Sequence, residues 1–316
     1  MSAEATFISA IRPLAGNAAA RDLLDDAAVF DIGGRSLVLT KDMLVEGVHY
    51  LPGDPPGDVA CKLLAVNLSD LAAKGARPVG VLLGYMLGEA AWDRAFVVGL
   101  QSALNAFDIA LLGGDTVRGP EGAARVLSLT AIGEATGVVP SRAGARAGDD
   151  LWVSGTIGDA GAGLAIRRGE LRGDDALVRR YRRPEPRLEA GPALAPLVTA
   201  MLDVSDGLLI DASRMGEASG LGVQIDLDAV PLSPSYVYAL GANRSARLRA
   251  ATAGDDYELL FTVPPDTAPA ILALSERLGL PLTRIGRTAP AAGLRLLDHG
   301  APVPLPDRLG YEHGTD

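Results

Sequence analysis

A strongly apolar pattern with helical spacing covers residues 58–75 and predicts a helix that buries most of its surface. Within it, Asn67 and Asp70 lie three positions apart and therefore share one face of the helix. A carboxylate inside such a helix is costly unless a partner meets its charge. One interpretation is that Ser69 or Asp70 caps a second, short helix. The alternative is that Asp70 points into a site that holds cations.

Other apolar patterns predict the remaining elements of the first half of the chain. Predicted helices cover residues 7–14 and 92–107, and predicted strands cover residues 27–31, 36–40, 79–86, 109–112 and 126–132. The pair Gly33-Gly34 is expected to join the first two strands as a hairpin. The run Gly113-Gly114-Asp115-Thr116 is expected to break the fourth strand.

The composition shifts at residues 140–150, which are rich in Gly, Ala, Arg and Asp, and this shift predicts a domain boundary near residue 147. The predicted domains are residues 1–147 and 148–316. In the second domain, strands are predicted at residues 151–154, 223–227, 259–263 and 282–285. Helices are predicted after Gly158, from Gly207 to Met215 and at residues 268–278. Residues 179–186 are basic and interrupted by prolines, and they are predicted to form a loop. Alternating strands and helices in both halves predict an α/β or α+β layered fold.

Composition and charge narrow the class of protein. The chain has 316 residues, 48% of them hydrophobic, and 39 acidic against 29 basic residues give a net charge of −10. This balance argues against a broad basic surface for nucleic acid, and a phosphate substrate would need divalent cations to approach it. Cys61 is the single cysteine, and neither a signal peptide nor an apolar run of about 18 residues is recognisable. We therefore expect a cytoplasmic protein with no membrane partner.

Common nucleotide and zinc motifs are absent from the sequence, which has neither a P-loop, nor a dinucleotide-binding fingerprint, nor a His/Cys ligand set. Gly155 and Gly158 before a helix could cradle phosphate, but a plain strand-to-helix turn explains them equally well. Carboxylates instead recur at the ends of apolar runs, at Asp25-Asp26, Asp42, Asp115 and Asp203-Val-Ser-Asp206. Oxygen ligands of this kind suit Mg²⁺.

Seven motifs in order make a recognisable set. They are Leu24-Asp-Asp-Ala-Ala-Val29, Thr40-Lys-Asp-Met-Leu-Val-Glu-Gly-Val-His49, Val66-Asn-Leu-Ser-Asp-Leu-Ala-Ala73, Gly113-Gly-Asp-Thr-Val-Arg-Gly119, Asp203-Val-Ser-Asp-Gly-Leu208, Gly254-Asp-Asp-Tyr-Glu-Leu259 and Gly310-Tyr-Glu-His313. Together, over nearly the whole chain, they resemble the thiamine-monophosphate kinases of the aminoimidazole-ribonucleotide-synthetase-like (PurM-like) superfamily.

The resemblance implies a reaction in which ATP phosphorylates thiamine monophosphate to thiamine diphosphate, assisted by several Mg²⁺ ions. It also implies a two-domain PurM-like fold, with the N-terminal domain pairing in a homodimer across a shared β-barrel and the active site in the cleft between domains. The sequence leaves open whether K⁺ is also needed.

The same resemblance assigns roles to individual residues. The implied metal ligands are Asp26, Thr40, Asp42, Asp70, Asp115, Asp203 and Asp206. The implied ATP contacts are Phe107, Gly114, Asp115, Arg142 and Ser205. The implied substrate contacts are His49, Asp255 and Tyr311. Taken alone, the Asp25-Asp26 and Asp255-Asp256 pairs would read as turn residues and His49 as a packed or surface histidine.

The chemistry of the reaction agrees with the absence of a catalytic triad. A phosphate monoester is mostly ionised near pH 7, because its second pKa is about 6, so the attacking oxygen needs no strong general base. The reaction needs neutralised charge and in-line positioning. A cluster of five or more aspartates without metal would repel itself and the substrate, so the cluster itself predicts Mg²⁺ dependence.

Three departures from the family pattern stand out. Leu23-Leu24 replaces a Gly-x-Gly, Lys41 stands where Ser or Thr is usual, and Asp255 is one methylene shorter than the usual Glu. Aminoimidazole ribonucleotide synthetase and a non-catalytic Mg-nucleotide-binding regulator remain alternatives. Selenophosphate synthetases and the hydrogenase-maturation relative carry a reactive cysteine near one terminus, which this chain lacks.

Overall fold

The computed structural model describes residues 3–120 and 122–314, so the outermost residues of both predicted domains lie outside the described part. The first half contains three helices and one sheet. Its elements are α1 (Ala3–Ile11), β1 (Ala28–Ile32), β2 (Arg35–Val45), α2 (Pro56–Ala73), β3 (Arg77–Leu87), α3 (Ala90–Phe107), β4 (Ala110–Arg118) and β5 (Val126–Ala135). The strands form a mixed sheet in the order β1-β2-β5-β3-β4, in which only β3 and β4 are parallel.

Helices α2 and α3 cover one face of this sheet. Leu127, Leu129 and Ala131 of β5 point into that layer and are fully buried, as strand alternation requires. The opposite face is open and carries six large apolar side chains that are partly exposed: Phe30, Ile32, Met43, Leu82, Leu112 and Val117. A single chain forms no closed barrel from its described strands.

Helix α2 is buried nearly all round because it lies between the two halves of the molecule. Pro56 occupies its first turn, where a missing N–H costs nothing, and Gly75 follows its end with a φ of +61°. Between them, Leu63, Leu64, Leu68 and Leu71 are fully buried, against the first sheet on one side and the second half on the other. The apolar pattern therefore predicts this helix correctly.

The second half contains seven helices and seven strands among its described residues. They are β6 (Asp150–Ser154), α4 (Asp159–Arg167), α5 (Asp175–Arg182), α6 (Ala190–Leu194), β7 (Ala200–Asp203), α7 (Leu208–Ala218), β8 (Gly222–Asp226), α8 (Pro234–Leu240), α9 (Arg244–Ala251), β9 (Leu259–Val263), α10 (Ala268–Leu278), β10 (Leu282–Ala289), β11 (Gly293–Asp298) and β12 (Ala301–Val303). The sheet order is β12-β11-β8-β10-β6-β9-β7.

Three local predictions need correction. The stretch 179–186 is helical up to Arg182, because Asp174 accepts hydrogen bonds from the N–H groups of Ala176 and Leu177 and caps α5. Strand β4 continues through the glycines at 113 and 114, because a register shift between Val81 and Leu82 absorbs the extra residue. The first helix begins at Ala3 and ends at Ile11, where a 3₁₀ turn containing a proline follows.

Charged side chains join the two halves beside the start of α2. Asp54 accepts hydrogen bonds from the hydroxyl of Tyr181 at 2.9 Å and from Nε of Arg182 at 3.0 Å. Lys62 of α2 donates to Asp255 of the second half at 2.8 Å. These contacts fix the angle at which the two sheets face the cleft between them. No helix in the described ranges is long and apolar enough to span a membrane.

Candidate active site

A cleft of about 780 Å³ lies between the two halves. Its lining includes the part of β2 that extends beyond the pairing with β1, the end of α2, residues 203–206, residues 252–255 and residues 310–313. Most of the residues that the sequence assigned to metal, nucleotide or substrate meet there: Asp26, Thr40, Asp42, His49, Asp70, Arg142, Asp203, Ser205, Asp206, Asp255 and Tyr311.

The polar face of α2 is directed at β2. The side chain of Asn67 accepts a hydrogen bond from the backbone N–H of Asp42 at 2.9 Å and donates to the carbonyl of Leu63. The hydroxyl of Thr40 donates to the carboxylate of Asp70. Helix α2 continues unbroken past Ser69 and Asp70, so neither of them caps a second helix. Asp70 instead reaches the cleft, as the second interpretation of the sequence predicts.

Three carboxylates of the cleft have no ion-pair partner among the described residues, and their ionised forms are disfavoured. Burial, reinforced by Asp206 and Asp26, raises the pKa of Asp42 to about 6. Burial and the charge of Asp26 raise the pKa of Asp203 to about 8, although Ser69 donates to it at 2.5 Å. Burial, Asp42 and Asp203 raise the pKa of Asp70 well above its usual value. The site is therefore short of positive charge.

Two neighbouring carboxylates already have cationic partners. Arg142 donates to Oδ1 of Asp26, and Nζ of Lys74 lies 2.8 Å from its Oδ2. Burial alone would raise the pKa of Asp26, but Arg142 and Lys74 outweigh it and lower that pKa. The same balance, with Lys74 and Arg21 as cations, lowers the pKa of Asp25.

The loop before this pair has an unusual backbone. Arg21, Asp22 and Leu23 have φ values of 47°, 57° and 52°, which are uncommon for residues other than glycine. Arg21 holds the loop by donating to Asp25 at 2.5 Å and to the carbonyl of Pro140 at 2.9 Å. Leu23, where the sequence analysis expected a Gly-x-Gly, therefore has a backbone conformation that glycine would adopt more easily.

The second half contributes the other wall of the cleft. Arg214 pairs with both Asp206 and Asp211, and burial together with Asp206 raises the pKa of Asp211 to about 7. The backbone N–H of Asp255 donates to the carbonyl of Ser205 at 2.8 Å. This bond joins the loop at 254–257, where Asp255 has a φ of +71°, to the loop at 203–206.

Three aromatic side chains lie at one end of the cleft. The rings of His49 and His313 are 5.4 Å apart, and Tyr311 meets His313 edge-on at 4.9 Å. Burial, followed by the charge of His313, lowers the pKa of His49. Nδ1 of His49 accepts a hydrogen bond from the N–H of Val45 at 3.0 Å, which fixes the ring at the end of β2.

Three predicted nucleotide or metal residues lie outside the cleft of a single chain. Gly114 and Asp115 are on the exposed edge strand β4, and Phe107 is the last residue of α3. Asp115 faces the open side of the sheet, beside Gly84 and Ser128. Lys41 also reaches Ser128, at 3.4 Å, so its side chain leaves β2 on the side opposite to Asp42.

The donor set fits a hard divalent cation. Asp42, Asp70 and Asp203 offer oxygen ligands with raised pKa values, and Oδ2 of Asp26 has an ion pair with Lys74 but accepts no hydrogen bond. Within residues 3–120 and 122–314, no three acidic, imidazole or thiol groups form a complete ligand set by themselves. A Mg²⁺ ion here would therefore complete its shell with water or phosphate oxygens, as Mg²⁺ commonly does.

Several residues that line or support the cleft received no role from sequence reasoning: Asp25 and His313 in its wall, and Lys62, Lys74, Asp211 and Arg214 beside its carboxylates. One signal for the lysines was available. The chain has only three lysines, and two of them lie inside the apolar helical pattern, where a charge needs a carboxylate partner. The partners themselves could not be read from the sequence.

Comparisons with known proteins agree with this geometry. The family profile described as AIR synthase related protein, N-terminal domain, matches residues 24–135, and its C-terminal counterpart matches residues 146–299. The thiamine-monophosphate kinase of Caulobacter vibrioides is 43% identical, over 96% of this chain and 88% of that protein.

Solved structures give the same result. The thiamine-monophosphate kinase of Stenotrophomonas maltophilia is 38% identical, with a TM-score of 0.78 over 94% of this chain and 96% of that one. A structure described as AaThiL complexed with AMPPCP and TMP is 30% identical, with a TM-score of 0.82 over 97% and 96%. The fold is thus the two-domain PurM-like fold, and the chain belongs to the thiamine-monophosphate kinase family of phosphotransferase enzymes.

Proposed function

We propose that this protein transfers the terminal phosphoryl group of ATP directly to thiamine monophosphate, with assistance from several Mg²⁺ ions. The carrying observation is the group of carboxylates without an ion-pair partner at half-buried Asp42 and Asp70 and buried Asp203, which face a cleft large enough for both substrates. The relative described with AMPPCP and TMP supports the choice of substrates.

The proposed ligands of the ions are Asp26, Thr40, Asp42, Asp70, Asp203 and Asp206. When bound, Mg²⁺ supplies positive charge to phosphate oxygens and helps to hold the attacking and leaving oxygens in line. Thr40 and Asn67 keep β2 and α2 in register, so that Asp42 and Asp70 stay on the same wall of the cleft. Ser69 holds Asp203 from the other side.

The nucleotide and the acceptor are proposed to enter from opposite ends of the cleft. Arg142 and Ser205 would contact the phosphates of ATP, and Arg142 would exchange its ion pair with Asp26 for one with phosphate. His49, Asp255 and Tyr311 would contact the acceptor, with His313 completing the aromatic end. The acceptor phosphate is already ionised near pH 7, so none of these residues needs to remove a proton.

Phosphorus NMR of the purified protein with ATP, Mg²⁺, K⁺ and thiamine monophosphate tests this function. We expect the monoester signal to be replaced by the diphosphate signals of thiamine diphosphate and ADP, and EDTA to stop the reaction until Mg²⁺ is restored. Consumption of ATP with untouched thiamine monophosphate would mean a different acceptor. No change in either compound would favour the non-catalytic regulator, and turnover in EDTA would contradict the role of Mg²⁺.

We further propose that two copies pair through the open faces of their first sheets to form the shared barrel. Six large apolar side chains on that face are 37–58% exposed in a single chain, and edge strand β4 is exposed along its whole length. Pairing would bury this face. It would also bring Gly114 and Asp115 of each copy near the cleft of the other copy, since neither residue reaches the cleft of its own chain. Phe107, at the end of α3, keeps its proposed nucleotide contact only in such a pair.

Light scattering tests the pairing. We expect a mass of about twice 32.5 kDa for the parent and a shift toward the monomer for Leu82→Glu, which places a charge in the centre of the open face. Val98→Glu is the matched control, because Val98 is 69% exposed on the outside of α3. A monomeric parent, or a dimer that Leu82→Glu leaves intact, would disprove pairing through this face.

The boundary between the domains is also a proposal. We place it near residue 147, because the first sheet ends with β5 at Ala135 and the second begins with β6 at Asp150.

A further inference from the structure

Lys74 is a fully buried cation directly behind the carboxylates of the cleft. It follows the last residue of α2, and its side chain has no exposed surface. Its ammonium group donates to Oδ1 of Asp25 and to the carbonyl of Met201 at 3.3 Å, and lies 2.8 Å from Oδ2 of Asp26. Its three neighbours are thus all oxygen atoms, two of which accept hydrogen bonds, while Oδ2 of Asp26 is held by the ion pair alone.

An apolar side chain would suit this position better if packing were the only requirement. Ala72, Ala73 and Ala76 around Lys74 are fully buried, and a buried charge is tolerated only when it is paired. The ammonium is therefore present for Asp25 and Asp26. Its presence divides the acidic residues of the cleft into two groups: this pair has a built-in cation, while Asp42, Asp70 and Asp203 have none.

Lys74 and Arg142 both hold Asp26, but they differ in how firmly they are fixed. The side chain of Arg142 is 24% exposed and lines the cleft, where an incoming phosphate can attract it. Lys74 is 0% exposed and does not line the cleft, so it stays with Asp26 when the cleft fills. Of its two ion-pair partners, Lys74 is therefore the one that keeps Asp26 ionised and in place when a phosphate attracts Arg142.

We propose that Lys74 is a positioning residue that acts as a permanent cation within the carboxylate cluster, in a place that a metal ion would otherwise have to fill. This inference rests on the proposed function, since it assumes that the cluster binds divalent ions. It predicts that removing the ammonium opens one more ion-binding position between Asp25 and Asp26.

Mn²⁺ binding to the protein without nucleotide tests this prediction, with electron paramagnetic resonance counting the ions bound per chain. We expect Lys74→Met to bind one more Mn²⁺ ion than the parent, and its Tm to rise more steeply with added Mn²⁺. Methionine replaces the alkyl part of lysine, lacks only the terminal ammonium position and packs well among apolar groups. A residue that only supported the fold would leave the count unchanged.

Lys62→Met is the matched control. Lys62 lies within α2, which Lys74 directly follows, is nearly as buried and also pairs with an aspartate, Asp255. Removing the Lys62 ammonium leaves a single carboxylate without its partner, that of Asp255, whose side chain is 26% exposed. It does not leave two adjacent buried carboxylates, so we expect Lys62→Met to bind the same number of Mn²⁺ ions as the parent. An identical count in Lys74→Met and the parent would overturn the proposal.

A second variant keeps the test decisive if Lys74→Met folds poorly. Asp25→Asn combined with Lys74→Met removes one charge of each sign, and we expect it to fold and to bind as many Mn²⁺ ions as the parent. Folding of Lys74→Met only with Mn²⁺ would support the proposal. If Lys74→Met does not fold at any Mn²⁺ concentration, Lys74 serves the fold alone and the proposal is overturned, whether or not the double variant folds.

The two proposals fail in different ways. A parent that binds Mn²⁺ but leaves thiamine monophosphate unchanged would remove the proposed function and leave the role of Lys74 intact. If the parent transfers phosphate but Lys74→Met binds no additional ion, the proposed function stands and the role of Lys74 is overturned.

Discussion

Asp70→Asn is expected to lower kcat about 10³-fold or more while raising the Tm of the metal-free protein. Asn keeps the size of the side chain and can still accept the hydrogen bond from Thr40, but it lacks the charge that would hold Mg²⁺ at the transferring phosphate. Such a loss corresponds to about 4 kcal/mol of transition-state stabilisation.

The opposite effect on stability has the same electrostatic origin. The carboxylate of half-buried Asp70 is removed from water near Asp42 and Asp203, and this desolvation and both neighbours disfavour its charge. Removing that charge should stabilise the metal-free fold by about 1–2 kcal/mol, or about 2–4 °C in Tm, at pH 8. Few substitutions of a buried residue that merely supports a fold would combine higher stability with lost activity.

Phosphorus NMR and thermal unfolding in EDTA measure the two effects. Asp149→Asn is the matched control, because Asp149 is also buried but lies away from the cleft, where it accepts from Thr199 and from the N–H of Arg146. We expect the control to keep its activity. Full activity of Asp70→Asn would remove Asp70 from the metal site, and a lower Tm would contradict the repulsion between the carboxylates.

The metal-free protein is expected to lose stability as the pH rises from about 4 to about 8. Burial and neighbouring carboxylates raise the pKa of Asp42 to about 6, that of Asp211 to about 7 and that of Asp203 to about 8. Each value lies above the usual 3.8 of the unfolded chain, so the folded chain holds protons that the unfolded chain has released. This contribution is complete below pH 3.8 and disappears as the pH passes each folded-state pKa.

The expected slope is about 1.4 kcal/mol per pH unit for each proton that differs between the two states. His49 opposes this loss of stability over part of the pH range, because its pKa is lowered in the folded state and its contribution to stability therefore increases as the pH rises toward 6.5. Asp25 and Asp26, whose pKa values are lowered, stabilise the fold fully above pH 3.8 and change the slope only below it, where that stabilisation is lost as the pH falls.

Urea unfolding at a series of pH values, with EDTA and with Mg²⁺, checks this prediction. Mg²⁺ binds the ionised carboxylates, so its stabilising effect should grow with pH and flatten or reverse the slope. Asp70→Asn should show a shallower slope than the parent in EDTA. Stability in EDTA that rises steadily from pH 5 to pH 8 would contradict the assignment of unpaired carboxylates to the cleft.

Much of the fold could be predicted because its signals are local. Apolar spacing, an early proline and a closing glycine predict helix α2, and these features act within a few turns. The misplaced limits of β4 and α5 have local causes too, but they depend on a register shift and a capping aspartate that periodicity does not reveal.

The site was predicted less completely because its partners are distant in sequence. Ser69 and Asp203 are 134 residues apart, and Arg142 and Asp26 are 116 apart. The motifs identified which aspartates matter, but no pattern indicated that Asp26 would be paired with two cations while Asp42 and Asp203 would have none. Such a difference arises only when separate elements fold together.

The sequence by itself therefore determined the family, the layered fold and most of the residues that meet in the cleft. The tertiary structure alone decided how charge is distributed among them: Lys74 behind Asp25 and Asp26, no cation at Asp70, and Asp115 on an open face outside the cleft. The physical reason is that a residue's type sets its possible charge, whereas burial and the approach of remote side chains set the energy of that charge.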